Sequence, residues 1–158
     1  MKSKGDLGLY LHVPFCKSKC AYCDFYSLPH AEDLMDDYLR ALTGHLTEVA
    51  SHFAAQKVDT VYVGGGTPSY LGEKRLEKLL NTVKKHYKVD KKAEITVEMN
   101  PDSVGSVKEL KGLRRAGVNR VSLGMQAADD ETLRNIGRIH TAEQVRQAVE
   151  NLREAGIK

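Results

Sequence analysis

The three cysteines restrict what this chain can fold into more than any other feature, because all of them lie in one short stretch. They are Cys16, Cys20 and Cys23, spaced C-x3-C-x2-C, and the sequence contains no others. Three thiolates in one loop can bind iron, a metal that favours sulfur ligands. Three ligands to a four-iron cluster leave one iron open, and an open metal position can take a substrate or cofactor. The spacing therefore predicts an iron centre with a site for chemistry.

Other uses of the cysteines stay open from the residues alone. A structural zinc site needs a fourth ligand, for which His12 is the nearby candidate, and the spacing differs from the paired C-x2-C halves of such sites. A disulfide framework is disfavoured, because the cysteine count is odd and no segment resembles a secretion signal. Three buried structural cysteines would leave the spacing unexplained.

Hydrophobic patterning predicts alternating strands and helices after a loose terminus at residues 1–5. Apolar and β-branched runs indicate strands at residues 7–13, 58–63, 93–99 and 118–124. Apolar residues spaced three or four apart indicate helices at residues 32–55, 76–87, 103–116 and, more briefly, 129–136. Ser103 is the expected N-cap of the third helix and Gly117 its C-cap. A capping box beginning at Thr141 opens a last helix that ends at Gly156.

This alternation defines the predicted fold class, which is α/β. Strands that alternate with helices form right-handed βαβ units, whose sheet is parallel and whose functional residues lie at the carboxyl ends of the strands. Four such units cannot close a barrel, and residues 157–158 resemble the start of a fifth strand. We therefore expect residues 1–158 to be the N-terminal part of a truncated barrel domain. The remaining strands and any C-terminal domain would be absent, and the chain alone would have little activity.

The amino-acid composition indicates which binding partners and which cellular compartment to expect. The chain is 41% hydrophobic and 28% charged, with a formal net charge of +3. Its basic residues are interspersed with acidic ones along the predicted helices, which predicts solvated faces and no nucleic-acid partner. No apolar run approaches the length of a membrane span, so no transmembrane segment is expected. Free thiolates require a reducing compartment, which predicts a cytoplasmic protein.

Glycines and a carboxylate follow two of the predicted strands. Gly64, Gly65 and Gly66, with Thr67 after them, either let a ligand approach the backbone or form an ordinary tight turn. Glu98 ends a buried strand, where its charge is costly without a cationic partner such as an ammonium group. Because parallel strands end at the same edge of a sheet, we expect these groups to meet the cysteine loop.

Gln126 and Arg138 are the remaining candidates near this edge. The amide of Gln126 can both donate and accept hydrogen bonds, which suits sugar hydroxyls. The guanidinium of Arg138 can bind a carboxylate through two hydrogen bonds, although by composition alone it is more often a surface arginine. Tyr10 and His12, in the first strand, fit either a packed or a functional role. His140 is expected to be a polar residue flanking a helix.

With its neighbours, the cysteine loop resembles that of the radical S-adenosylmethionine (SAM) superfamily. The hallmark there is C-x3-C-x2-C with an aromatic residue before the last cysteine, which is Tyr22 here. The segments Y-L-H-V-P-F-C, G-G-G-T-P, E-M-N-P, S-L-G-M-Q and I-G-R-I-H are similar, in this order, to anaerobic coproporphyrinogen III dehydrogenases (HemN) and the related HemW heme chaperones. The resemblance runs from Tyr10 to His140. It implies a partial TIM-type barrel with a 4Fe–4S cluster on the three cysteines and SAM on the open iron.

The resemblance also implies a role for the other candidates. The glycine segment and Glu98 would contact the methionine amine of SAM, Gln126 the ribose, and Arg138 the methionine carboxylate. The SAM-binding residues implied are Tyr10, Tyr22, Phe25, Gly64, Gly65, Gly66, Thr67, Glu98, Gln126 and Arg138. One electron, from a donor such as flavodoxin or ferredoxin through the reduced cluster, would cleave SAM into methionine and a 5′-deoxyadenosyl radical.

Phe25 separates two branches of the family that the chain resembles. The dehydrogenases typically extend the motif to C-x3-C-x2-C-x-C, whereas the last position here is Phe25, as in the HemW-like branch. The resemblance therefore favours a heme chaperone, with heme as a possible further ligand, over decarboxylation of coproporphyrinogen III to protoporphyrinogen IX. A metal-stabilised structural module that binds zinc and ignores SAM is the third alternative.

Overall fold

The structure, a computed structural model, describes residues 6–158, so the terminus predicted at residues 1–5 lies outside the described residues. The strands in chain order are β1 (Leu7–Val13), β2 (Phe15–Cys16), β3 (Leu28–Pro29), β4 (Lys57–Gly65), β5 (Lys88–Met99) and β6 (Arg120–Leu123). A parallel sheet is formed by β1, β4, β5 and β6, in that order across the sheet, while β2 pairs with β3. The predicted α/β class with a parallel sheet is confirmed.

Helices separate the strands of the sheet, as predicted. They are α1 (Met35–Val49), α2 (Glu73–His86), α3 (Val107–Ala116), α4 (Asp130–Asn135) and α5 (Ala142–Glu154). Short 3-10 turns lie at Glu32–Leu34, Ala50–Phe53, Pro68–Leu71 and Pro101–Ser103. The helix predicted at residues 32–55 is thus α1 with a 3-10 turn at each end, because tight turns continue the apolar spacing beyond the α-helical hydrogen bonds.

The N-cap of α3 differs from the prediction. Ser106, not Ser103, caps the helix, and it forms a capping box with Glu109. Ser103 instead closes the preceding 3-10 turn by bonding the backbone of Asn100. Val104 has an extended backbone that separates the two elements, so the serine that precedes it cannot cap the helix. Ser103 and Ser106 are both good capping residues, and the sequence pattern did not distinguish them.

The other predicted caps are confirmed. Gly117 follows α3 in the left-handed region, at φ 110°, which a glycine adopts without steric cost. Thr141 and Gln144 form the capping box that opens α5. That helix ends at Glu154, with Gly156 two residues beyond it at φ 74°.

The two faces of the sheet differ in character. Val13, Val61, Val63 and Val97 are almost completely buried and belong to the core that the helices complete. The side chains that alternate with them point to the opposite face. Several there are polar or aromatic and partly exposed, including Tyr10, His12, Tyr62 and Glu98, whereas Thr96 is buried. The functional groups that strands can present therefore lie on the face away from the helical core.

The chain's last residues extend the sheet. The backbone N–H of Val121 donates to the carbonyl of Lys158 at 2.7 Å, and the N–H of Lys158 donates to Asn119 at 3.2 Å. Residues 157–158 thus pair beside β6 as a further parallel strand would. That they begin a longer barrel domain stays a prediction. Within residues 6–158, no helix combines the length and the apolar character needed to cross a membrane.

Candidate cofactor site at the carboxyl edge of the sheet

A cavity of about 330 Å³ opens where the strands of the sheet end. Its walls include Cys16, Cys20, Cys23, Tyr22, Phe25, Gly65, Gly66, Thr67, Glu98, Gln126 and Arg138. The structure thus brings the cysteine loop together with the groups that follow β4, β5 and β6. Two residues of the implied set, Tyr10 and Gly64, are not part of the cavity wall, although both lie on strands that lead to it.

The cysteine loop is held between β1 and the end of β4. Cys16 is buried, whereas Cys20 and Cys23 are half-buried, and all three are free thiols. The backbone N–H of Gly66 donates to the carbonyl of Val13 at 2.8 Å, and that of Thr67 donates to Phe15 at 2.7 Å. Across residues 6–158, no three His, Cys, Asp or Glu side chains are gathered closely enough to hold a metal ion. The loop nevertheless places three free thiols at one cavity.

Close packing against the cysteine loop requires a glycine at position 66. A Cβ atom on Gly66 would lie 2.7 Å from the carbonyl oxygen of Phe15 and 2.9 Å from the sulfur of Cys16. The sequence predicted that the glycine segment either lets a ligand approach or forms a tight turn. At Gly66 the structure shows close approach of the chain's own cysteine loop, and approach of a ligand stays a prediction.

We expect Gly66→Ala to destabilise the protein by about 1–3 kcal/mol, because the methyl group meets backbone atoms that cannot move independently. Urea unfolding of the protein measures this loss. The control is Gly44→Ala in α1, where a Cβ meets nothing within 4 Å. That change should stabilise the helix by roughly 0.5–1 kcal/mol. Equal stability of the Gly66→Ala protein and the unmodified protein would contradict this account of the loop.

Glu98 has partners that the sequence did not predict. The hydroxyl of Tyr62 donates to Oε1 at 2.6 Å, and the backbone N–H of Gly65 donates to Oε2 at 3.0 Å. Burial, and then the bond to Glu98, raise the pKa of Tyr62. The sequence suggested a cationic partner for this carboxylate, and the structure shows that two neutral donors already satisfy one site on each oxygen. An ionised carboxylate has about four acceptor sites, so it can still take an ammonium group.

Arg138 is held at the cavity by three acceptors. Its Nη2 donates to Oδ1 of Asn100 at 2.8 Å and to the carbonyl of Gly124 at 2.5 Å. Its Nη1 donates to the sulfur of Cys20 at 3.4 Å. The Nε–H is buried and has no hydrogen-bond partner among the described residues. Of the five N–H groups of a guanidinium, Nε–H and one on Nη1 therefore have no partner among the described residues. These two donors lie on opposite edges of the guanidinium and Nε is buried, so the donor left for a ligand is the one on Nη1.

Thr67 connects the glycine segment to the cysteines. It is buried, and its hydroxyl donates to the sulfur of Cys16 at 3.6 Å. The same hydroxyl oxygen accepts from Nδ2 of Asn100 at 3.1 Å. Thr67 and Arg138 thus contact two different cysteines, and both are bonded to the same asparagine.

Gln126 lies at the mouth of the cavity in an uncommon backbone conformation. Its φ is +65°, in the left-handed region, and its side chain is exposed. Left-handed backbone in a residue other than glycine is uncommon and is found more often at functional sites. The geometry places the amide at the cavity, while its contact with ribose stays a prediction.

The aromatic residues of the implied set lie around the rim. Tyr22 and Phe25 are 51% and 70% exposed beside the cavity. Tyr10 stacks on Tyr62 with ring centroids 6.1 Å apart, and its hydroxyl is 3.0 Å from Nδ1 of His12. Burial raises the pKa of Tyr10 and also that of Tyr22, the latter partly offset by Arg138. Tyr22 and Phe25 are thus the exposed aromatic residues that line the cavity, whereas Tyr10 lies outside its wall.

Sequence reasoning assigned no functional role to three residues of the site, Tyr62, Asn100 and His140. For Asn100, described above with Tyr62, the available signal was its position within the E-M-N-P segment. His140 flanks a helix as expected, because it directly precedes Thr141, the N-cap of α5. It is also 3% exposed, forms part of the cavity wall, and has its Nε2 3.0 Å from the carbonyl oxygen of Met125.

The fold and this cavity define the class of protein. The profile of the Radical SAM superfamily matches residues 10–158, and the chain belongs to this superfamily. The donor set fits the two groups that this membership implies: thiols for an iron–sulfur cluster, and beside them a carboxylate and a guanidinium with unused hydrogen-bonding capacity for the amino-acid end of SAM.

More specific similarity is to heme chaperones. The chain is 37% identical over 150 residues to the heme chaperone HemW of Bacillus subtilis, covering 94% of this chain and 39% of that protein. It is 43% identical over 137 residues to HemW of Mycobacterium tuberculosis, covering 85% and 35%. HemW of Escherichia coli is 36% identical over 158 residues, covering 96% and 40%. The chain thus spans about two fifths of the length of these relatives.

Solved structures share this fold. Coproporphyrinogen III oxidase (HemN) from Escherichia coli, described as a radical SAM enzyme, superposes with a TM-score of 0.90 at 30% identity, covering 97% of this chain and 35% of that one. Methylornithine synthase superposes with a TM-score of 0.63 at 16% identity, covering 96% and 42%, and shows the fold alone. The predicted resemblance to the radical SAM superfamily and to the HemN and HemW family is confirmed.

Proposed function

We propose that the chain is part of a HemW-type protein that binds a 4Fe–4S cluster and SAM and acts as a heme chaperone. The observation that carries the proposal is the gathering of three cysteines, Glu98 and Arg138 around one cavity. Similarity to proteins named heme chaperone HemW supports the branch. Phe25 supports it too, since a phenylalanine cannot supply the additional thiol typical of the dehydrogenase branch.

The chain's own residues would bind and orient SAM. Arg138 would bind the methionine carboxylate through its positive charge and the unused N–H of Nη1, and Glu98 would accept from the amine. Gln126 would bond the ribose hydroxyls. Tyr22 and Phe25 would cover the entrance and exclude water. When bound, the cluster and SAM supply one-electron reductive chemistry, and that chemistry belongs to the cofactors. Heme, an electron donor such as flavodoxin or ferredoxin, and a cytoplasmic location belong to the same proposal.

The second candidate function is oxygen-independent oxidation of coproporphyrinogen III. The structural match to HemN is the observation that favours it. Against it stand Phe25 and the similarity to proteins named HemW.

An anaerobic comparison of two activities separates the candidates. The protein with a reconstituted cluster is titrated with heme and followed by absorbance, and in parallel is incubated with coproporphyrinogen III, SAM and a reductant. A heme chaperone should bind heme stoichiometrically. Unchanged coproporphyrinogen III does not by itself count for the chaperone, because residues 1–158 alone are expected to have little activity. Formation of protoporphyrinogen IX together with two cleaved SAM molecules per product would favour the oxidase. A Phe25→Cys variant is the matched comparison, because it restores the spacing of the dehydrogenase branch.

A further inference from the structure

Two of the cysteines are joined by a continuous chain of side-chain hydrogen bonds. Thr67 donates to Cys16, and Asn100 donates to Thr67. Arg138 donates both to Asn100 and to Cys20. Asn100 is the central member of this network and does not itself contact a cysteine. No role for Asn100 follows from the motif in which it lies.

The orientation of the Asn100 amide follows from its partners. A guanidinium has only donors, so the atom facing Arg138 must be the carbonyl oxygen Oδ1, which is 2.8 Å from Nη2. The amide nitrogen must then face Thr67, at 3.1 Å from its hydroxyl oxygen. Because that oxygen accepts from Asn100, the Thr67 hydroxyl proton is free to point elsewhere. The remaining partner in the structure is the sulfur of Cys16.

The surrounding backbone leaves room for this arrangement. The backbone N–H of Asn100 is tied to the hydroxyl of Ser103 at the end of β5. A Cβ atom on Gly124 would lie 2.8 Å from Oδ1 of Asn100 and 2.8 Å from Nη2 of Arg138. The glycine therefore permits the contact between these two side chains, and a larger residue there would separate them.

We propose that Asn100 is a positioning residue that directs hydrogen-bond donors onto Cys16 and Cys20 and thereby raises the reduction potential of the cluster. The inference rests on the proposed cluster and deepens it. Donors to cysteine sulfur stabilise the reduced cluster, which carries one more negative charge than the oxidised form. An aspartate of the same shape would keep the acceptor for Arg138. It would also draw the Thr67 proton away from Cys16, because a carboxylate only accepts.

Midpoint potentials of the reconstituted cluster, followed by electron paramagnetic resonance without SAM, test this inference. Thr67→Val removes the hydroxyl at nearly constant shape and should make the potential more negative. Thr67→Ser keeps the hydroxyl and should leave the potential close to that of the unmodified protein. Asn100→Asp should also make the potential more negative. Resonance Raman spectra in D₂O should show a deuterium shift of the iron–sulfur stretching modes that Thr67→Val diminishes.

A double-mutant cycle separates two effects of Asn100→Asp on the potential: the changed direction of the Thr67 hydroxyl proton and the added negative charge. In the Thr67→Val background, Asn100→Asp should shift the potential less than in the unmodified protein, since only the charge effect remains. Equal shifts in the two backgrounds, or equal potentials for Thr67→Val and Thr67→Ser, would overturn the inference. If Asn100→Asp does not fold, the comparison of Thr67→Val with Thr67→Ser still tests whether the Thr67 hydroxyl raises the reduction potential. If the unmodified protein assembles no cluster, the proposed function fails together with this inference. If the cluster assembles but the predicted changes in potential are absent, only this inference fails.

Discussion

Replacing Cys20 by alanine is expected to abolish assembly of the 4Fe–4S cluster. The proposed site has three thiolates, and a cluster left with two would lose its hold on the protein. Cys20 also accepts from Arg138, so its loss removes the contact between the cysteine loop and the segment after β6. Anaerobic reconstitution with iron and sulfide, followed by electron paramagnetic resonance of the reduced protein with and without SAM, measures the outcome.

The control lies in the same loop. Ala21→Ser adds a hydroxyl at an exposed position and leaves all three thiolates in place, so its cluster content should match that of the unmodified protein. The unmodified protein should show a four-iron signal that changes when SAM is added. Stoichiometric zinc without an iron signal, in a folded sample, would instead support the metal-stabilised structural module.

Replacing Arg138 by leucine should weaken SAM binding by roughly 10- to 100-fold, since hydrogen bonds to charged groups are worth about 1.5–3 kcal/mol. The guanidinium is proposed to bind the methionine carboxylate through its positive charge and the unused N–H of Nη1. Arg138→Lys keeps the charge but not the planar group that bonds Asn100, Gly124 and Cys20, so its affinity for SAM should fall between those of the unmodified protein and Arg138→Leu. Equilibrium dialysis of SAM with the reconstituted protein measures these affinities.

Arg134→Leu is the matched control for Arg138. Arg134 is an exposed arginine in α4, so its replacement removes the same charge without touching the cavity. The affinity of that variant should stay within a factor of about two of the unmodified protein, the scale of a surface substitution. Equal losses in both variants would mean that general charge, and not the position of Arg138, attracts SAM. An unchanged affinity in Arg138→Leu would contradict its proposed role.

The regular parts of the fold follow directly from sequence patterns. β1 begins and ends at the predicted residues, and β4 extends the prediction by only a few residues. β5 begins at Lys88, five residues before the predicted start, because its polar first part pairs through the backbone, where no hydrophobic pattern exists. The placement of the cysteine loop and of Glu98 at one edge follows from the parallel sheet alone.

The contacts within the site could not be predicted in the same way. Tyr62 reaches Glu98 across neighbouring strands, and a register set by backbone pairing decides which side chains meet. Asn100 and His140 are polar residues whose importance comes from partners far away in the chain. The capping error at Ser103 has the same cause, because that serine serves a turn which only the folded backbone defines.

The backbone of Gln126 has a consequence for the balance between stability and binding. A left-handed conformation in a residue with a Cβ costs roughly 1–2 kcal/mol, which glycine would avoid. The turn after β6 therefore does not adopt this shape for its own stability, and a glutamine there opposes folding. Stability-based engineering of this chain would therefore select Gln126 for replacement by glycine. Such a change would make the protein more robust while removing the amide from the mouth of the cavity.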